Sequence, residues 1–282
     1  PIRAGPRDRG GFAEGALARM LRRLAARFRG TSGIYLQDLR TGAGASWNAR
    51  ARFPAASTLK LAIAVEVLRT LRRKPAPGSR LDALLRRMLR QSDNEAANAL
   101  EVWLGGSTSA GAARVNTLLR ALGLRDSEMY GGYLRSDAGS RRQPIPARVE
   151  TAPSFGVGKY TTAFDLGRLS RYVHLAAGGI GPLARRFAGA FTPSDARFLL
   201  FQLAHVREPG RLGRYLRGQR AVLLHKAGWI HRARHDNGVV YWPGGAFVAT
   251  VMTWKPGGAG VSCDVLAGRV ARAALQRFRR VR

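Results

Sequence analysis

The chain has 282 residues and 45% hydrophobic content, enough for one large domain or two lobes sharing a core. Its 48 basic residues outnumber 17 acidic ones for a net charge of +31. The lone cysteine, Cys263, excludes an intrachain disulfide or a Cys-based metal site, and no apolar run is long enough to cross a membrane as a helix. Such a charge fits a binder of nucleic acid or of an anionic polymer, or a composition that uses Arg wherever a surface cation serves. The arginines run from end to end of the chain rather than in one block, which favours the second reading. Only Lys60, Lys74, Lys159, Lys226 and Lys255 are lysines. A retained lysine marks a position where Arg would not serve, and a base that must lose its proton is one such case. The missing initial Met is taken as loss of an N-terminal segment, by signal cleavage or trimming.

Residues 1–11 are rich in Pro, Arg and Gly and are expected to fray. Apolar spacing predicts a helix over Phe12–Phe28, stopped by Gly30. Strands follow at Gly33–Leu39 and Ala45–Asn48 around the Thr41-Gly42 turn. In the stretch Phe53–Leu71 a Pro-bounded turn then delivers Ser57 to the start of a helix, read as a core helix because Leu61 to Leu68 is apolar nearly all round. Further helices are predicted at Leu81–Leu89, Glu95–Leu104, Ala110–Leu122, Thr161–Ala177 and Ser194–Val206. Met129–Gly158 has no periodicity, and a loop that long inside a domain is usually functional or mobile. Strands return at Ala221–Ile230 and in the hairpin Gly238–Trp242/Ala246–Trp254, and Cys263–Arg279 closes the chain as a helix. Strands at both ends and helices between predict an α+β fold. Its antiparallel sheet would be assembled from both termini (about 12–56 and 208–282), with a helical lobe (about 57–207) inserted in a single domain.

Within the core-helix stretch Ser57 and Lys60 stand three apart, so hydroxyl and amine can share a face. Taken alone, this pair is also what a Ser N-cap followed by a snorkelling lysine would give. Two more short motifs follow in order: Ser92-Asp93-Asn94 and Lys226-Ala227-Gly228. The set resembles the penicillin-recognising serine enzymes, that is, the class A β-lactamases and penicillin-binding proteins. Asp38 to Gly42, the run Ser92 to Asn98, Leu104-Gly105-Gly106, Thr161-Thr162 and the hairpin after Lys226 extend the resemblance over roughly residues 12 to 280.

The resemblance implies a serine hydrolase that opens β-lactam rings through an acyl-enzyme, with no cofactor and no metal. Ser57 would be the nucleophile and Lys60 its base. Ser92 would relay the proton to the leaving nitrogen, and Lys226 would supply a cation beside Ser92 and the substrate carboxylate. Asn94 would hold the substrate amide, Gly228 would permit its close approach, and the N–H groups of Ser57 and Trp229 would form the oxyanion hole. The family's usual substrates, β-lactams and peptidoglycan-like peptides, lie outside the membrane, so an extracytoplasmic location is expected. Alternatives are a slowly deacylating penicillin-binding or D,D-peptidase-type enzyme, another amide or ester hydrolase, and a non-catalytic cationic protein holding an anionic cell-envelope polymer. His225, beside Lys226, is either a base or, as is commoner for a strand histidine, a packing residue, and His231 and His235 carry neither metal-ligand spacing nor an acidic partner cluster.

Two departures from the family pattern stand out. Ala227 replaces the usual Thr or Ser and cannot donate to a substrate carboxylate; such a bond is worth about 1.5–3 kcal/mol. No Glu-x-x-Leu-Asn pattern supplies a base for the deacylating water. Its place falls near Gly131-Gly132-Tyr133-Leu134, and Glu150, later in the loop, is either a surface residue or a base reaching back.

Overall fold

The computed structural model describes residues 15–133, 158–208 and 211–280. The expected α+β architecture is present. Strands β1 (Thr31–Asp38), β2 (Gly44–Trp47), β5 (Val222–Ile230), β6 (Ala233–Trp242) and β7 (Gly245–Trp254) form one sheet in the order β2-β1-β7-β6-β5. Every neighbouring pair is antiparallel. The N-terminal hairpin joins the C-terminal strands through β1 and β7, with Leu36 opposite Ala249 and Ile34 opposite Val251. This leaves β5 as an edge strand, which matters for the cleft.

Helices α1 (Gly15–Ala26) and α9 (Val261–Arg280) cover one face of the sheet, together with a 3₁₀ turn at Leu212–Tyr215. Leu17 and Leu21 of α1 and Val270, Leu275 and Phe278 of α9 meet Ile34, Leu36, Phe247 and Val251 in the core beneath. Arginines take the opposite side of both helices, as an amphipathic period requires.

On the other face α6 (Ala163–Ala176) lies against β1, β6 and β7. A Cβ on Gly167 would come 2.4 Å from the Tyr35 ring, so the helix rests this close only with glycine there. Beyond it lie α2 (Lys60–Leu71), α3 (Arg80–Arg90), α4 (Asn94–Gly105), α5 (Thr108–Ala121), α7 (Gly181–Arg186) and α8 (Pro193–Ala204). Helix α2 contacts α3, α4, α5 and α8 and is buried continuously from Lys60 to Leu68. Each large aliphatic side chain taken from water there contributes about 1.5–3 kcal/mol. Its buried Glu66 is held by Arg69 at 2.6 Å and Arg114 at 3.4 Å.

Ser79, Asp93, Ser107, Thr162 and Thr192 cap the helices they precede. Helix α7 and the two-residue strands β3 (Phe53–Pro54) and β4 (Tyr160–Thr161), which pair with each other, were not in the sequence pattern. Most of the aperiodic Met129–Gly158 stretch, Leu134 and Glu150 included, lies outside the described residues.

Candidate active site

The cleft lies where the edge strand β5 meets the start of α2 and of α4. It has a volume of about 230 Å³ and is lined by Pro54, Ala56, Ser57, Asn94, Tyr133, Lys159, Trp229 and Ile230. Of the residues expected at the site, Ser57, Asn94 and Trp229 line it directly. Lys60, Ser92 and Lys226 form a hydrogen-bonded cluster with Asn94.

Ser57 departs in one respect from its expected place. It sits in a turn that precedes α2, with Lys60 N–H donating to the Ser57 carbonyl at 3.2 Å. The N-cap is Leu59, which makes no side-chain cap bond. The Ser57 hydroxyl is therefore not consumed in capping. The approach to it is fixed from below: His235 Nε2 bonds the Pro54 carbonyl at 2.8 Å, while Thr253 N–H donates to His235 Nδ1 at 3.2 Å. Burial lowers the pKa of His235 to about 4, so the ring is neutral, and these two bonds together require the Nε2–H tautomer.

Lys60 is fully buried, which removes the snorkelling alternative. Its ammonium donates to the Ser92 carbonyl at 2.6 Å and to Asn94 Oδ1 at 2.7 Å. It also stands 4.6 Å from the centre of the Tyr133 ring. The Lys60 amine is anchored to the Ser92–Asn94 corner rather than hydrogen-bonded to the Ser57 hydroxyl, and the two residues are joined only through the backbone. Burial first, and then the neighbouring charge of Lys226, lower its pKa from 10.5 to about 7. A neutral amine is thus accessible to Lys60 near neutral pH, the condition for a base.

Ser92 links the two lysines. Its carbonyl takes the Lys60 donor, and its Oγ takes Lys226 Nζ at 2.9 Å. The geometry needs a left-handed backbone at Ser92 (φ 59°), an uncommon state for a residue with a side chain. Such strain persists only where the surroundings impose it, and it gathers at functional sites. Asp93, next in the chain, does the capping: it accepts from Ala96 N–H at 2.8 Å and pairs with Arg87. Capping is thereby assigned to Asp93, and Ser92 and Asn94 are left for the cleft.

Lys226 is also fully buried, and its second bond is to the Ala227 carbonyl at 2.8 Å. Burial lowers its pKa to about 8. Ala227 is itself fully buried. At Gly228 a Cβ would fall 2.7 Å from the Ser57 nitrogen and 2.9 Å from the Thr58 nitrogen. Only glycine lets β5 run this close to the start of α2, and the contact sets the Ser57 N–H beside the strand that carries Trp229. Trp229 is 61% exposed and Ile230 is 45% exposed, so the mouth has an apolar rim.

The segment at the expected place of the deacylation base is tightly held. Asn98 Oδ1 accepts from Tyr133 N–H at 2.7 Å, and Glu101 Oε2 from Gly132 N–H at 2.8 Å. Lys159 donates to the Gly132 carbonyl and lies 4.3 Å from the Tyr133 ring centre, so Tyr133 sits between two lysines. Burial, reinforced by the charge of Glu101, pushes the Tyr133 hydroxyl well above its ordinary pKa of 10. It stays protonated and is no base for water near neutrality. The position holds an aromatic ring where a carboxylate was sought, and Glu150 is outside the described residues. Lys159 and the Asn98–Tyr133 clamp escaped sequence reasoning; the scarcity of lysine was the available signal for the first.

His225 is engaged within the sheet rather than with the cleft residues. It pairs with Asp236 at 2.7 Å, and Asp236 also accepts from Leu212 N–H at 3.1 Å and Asn237 N–H at 3.0 Å. Among the described residues no cluster of His, Cys, Asp and Glu could hold a metal. Among them, too, no helix is long and apolar enough to cross a membrane.

The model of the Beta-lactamase enzyme family matches residues 16–76 and 71–278, and the chain belongs to that family. Solved structures share its fold. PBP-A aligns with a TM-score of 0.73 at 22% identity, over 95% of this chain and 97% of its own. A PBP-A mutant described as an acyl-enzyme complex with penicillin G aligns at 0.72 and 22% identity, over 95% and 98%. A β-lactamase from Sphaerobacter thermophilus DSM 20745 aligns at 0.69 and 22% identity, over 94% and 97%. No curated protein sequence matches the chain.

Proposed function

We propose that this protein is acylated at Ser57 by β-lactams and related amides and releases the acyl group slowly. The observation that carries the reading is the chain Lys60–Ser92–Lys226, two fully buried lysines joined through one strained serine beside an uncapped Ser57. In the acylation step neutral Lys60 takes the Ser57 proton and Ser57 Oγ bonds to the amide carbon. The C–N bond breaks, and the proton reaches the leaving nitrogen through Ser92 Oγ. The Lys226 bond positions Ser92 Oγ for that relay, and the Lys60 bond to the Ser92 carbonyl holds the amine at the same residue. The cation at Lys226 favours the Ser92 oxygen as it gives up its proton, and the N–H groups of Ser57 and Trp229 receive the developing oxyanion.

Slow release is favoured over efficient β-lactam hydrolysis by Tyr133. A water attacking the ester needs a base, and this position offers a protonated phenol between two lysines. The acyl-enzyme described for a PBP-A mutant with penicillin G makes that ligand the natural probe. Incubation with penicillin G followed by peptide mapping should locate one adduct on the peptide carrying Ser57, and Ser57→Ala should carry none. An adduct that survives Ser57→Ala would remove Ser57 as nucleophile. Glu150→Gln should leave adduct lifetime unchanged; a longer lifetime would make Glu150 the deacylation base.

A further inference from the structure

Three segments far apart in sequence form one surface in the fold. Residues 15–29, 211–220 and 261–280 pack side by side on the sheet face away from the helices that frame the cleft. Together they hold fourteen arginines and one carboxylate, Asp264. Twelve of these arginines are exposed, whereas Asp264 is buried and engaged by Arg234 at 3.2 Å. The described helical segment 60–133 contrasts with this, having twelve cations and seven carboxylates. Several of its arginines are paired, as Arg69 with Glu66, Arg86 with Asp82 and Arg87 with Asp93. A composition that merely preferred Arg everywhere would not give this layer a net charge of +13 against +5 for the longer helical segment. Like charges this crowded repel one another and cost stability unless a polyanion covers them.

We propose that this layer is a docking surface for a linear, phosphate-bearing polyanion, separate from the cleft. The layer contains no lysine, and guanidinium forks bind phosphate oxygens in pairs. Helix α9 alone, at 20 residues, is about 30 Å long, a track for a polymer rather than a socket for one ion. A bilayer fits less well. Surface-lying helices press large apolar side chains into lipid, but α1 and α9 turn theirs into the core, and Val261 is the one large exposed apolar residue of the layer.

The test is binding of long-chain inorganic polyphosphate by the full chain across a salt series, with two quadruple variants of equal charge change. Arg22, Arg23, Arg269 and Arg280→Gln should weaken binding about tenfold or more at 150 mM salt. The slope of log K against log salt should fall by about 0.7 for each phosphate contact removed. Arg73, Arg80, Arg120 and Arg125→Gln, on the helical side, should change affinity by less than about twofold, because charges beyond about 8 Å are screened at that salt. Both variants should keep the wild-type penicillin adduct, which shows that they are folded, and Ser57→Ala should bind polyphosphate as wild type does. Equal losses in the two quadruple variants, absence of polyphosphate binding, equal affinity for polyglutamate, or binding to anionic phospholipid vesicles without binding to polyphosphate would each overturn the proposal.

Discussion

Two corners of one cleft are built to different standards. At the acylation corner four residues from the start of α2, the turn before α4 and the edge strand converge: Ser57, Lys60, Ser92 and Lys226. Both lysines are stripped of water, both titrate near neutrality, and a left-handed serine connects them. At the opposite corner the backbone is as well anchored, by Asn98 and Glu101, yet the side chain it delivers is Tyr133. In the proposed mechanism this anchored corner presents a protonated phenol to the ester rather than a carboxylate.

The largest effect should come from breaking the first corner. Lys60→Ala should lower the acylation rate by about 10²–10⁴-fold, the range of general base catalysis, in stopped-flow measurements with a chromogenic β-lactam. In the wild type that rate should rise with pH through a midpoint near 7, since only neutral Lys60 accepts a proton. A flat profile between pH 6 and 8 would assign the base elsewhere. Ser92→Ala should cost about ten- to a hundredfold, because the Lys60 anchor on the Ser92 carbonyl survives while the relay oxygen is lost.

Tyr133→Glu tests the second corner from the other direction. With Asn98 still holding the backbone of residue 133, a carboxylate there should speed acyl-enzyme decay by about tenfold or more, read by loss of adduct mass over time. No change would mean that the clamp does not aim this position at the ester. The smallest effect is on stability. The pKa of Lys60 is lower in the folded than in the unfolded chain, so between about pH 7 and 10.5 the unfolded state binds more protons and folding gains stability as pH rises. Lys60→Met lacks this contribution. The Tm of Lys60→Met relative to wild type should therefore fall on going from pH 6 to pH 9 in thermal melts; a constant difference would contradict the lowered pKa.

Much of this was legible in the sequence because it is local. Apolar spacing located the sheet strands from both termini and most helices, and the three triplets named the residues that the fold brings together at the cleft. What was not legible depends on contacts between distant residues. Strands β3 and β4 are two residues each, one containing Pro54, and exist only because they pair across more than 100 residues. Helix α7 is a six-residue element that begins Gly181-Pro182, a signature easily read as a turn. The Lys60 bonds to Ser92 and Asn94 were not legible for a related reason: they cross more than 30 residues, and Ser57 lies in the turn before the helix in which i,i+3 spacing applies. The Tyr133 clamp joins α4 to a segment some 30 residues away and adds Lys159 from beyond the long loop. The basic layer was hidden in the same way, since arginines dispersed along the chain become neighbours only when α1 packs beside α9.

The most direct test of the two-corner account is an intact-mass time course of the wild-type protein. Penicillin G is added in slight excess and the remainder destroyed once the adduct has formed. The account predicts one stoichiometric adduct on Ser57, formed quickly and still present after many minutes. Return to the unmodified mass within seconds, with hydrolysed penicillin released, would show that the cleft holds an effective deacylation base and would contradict it.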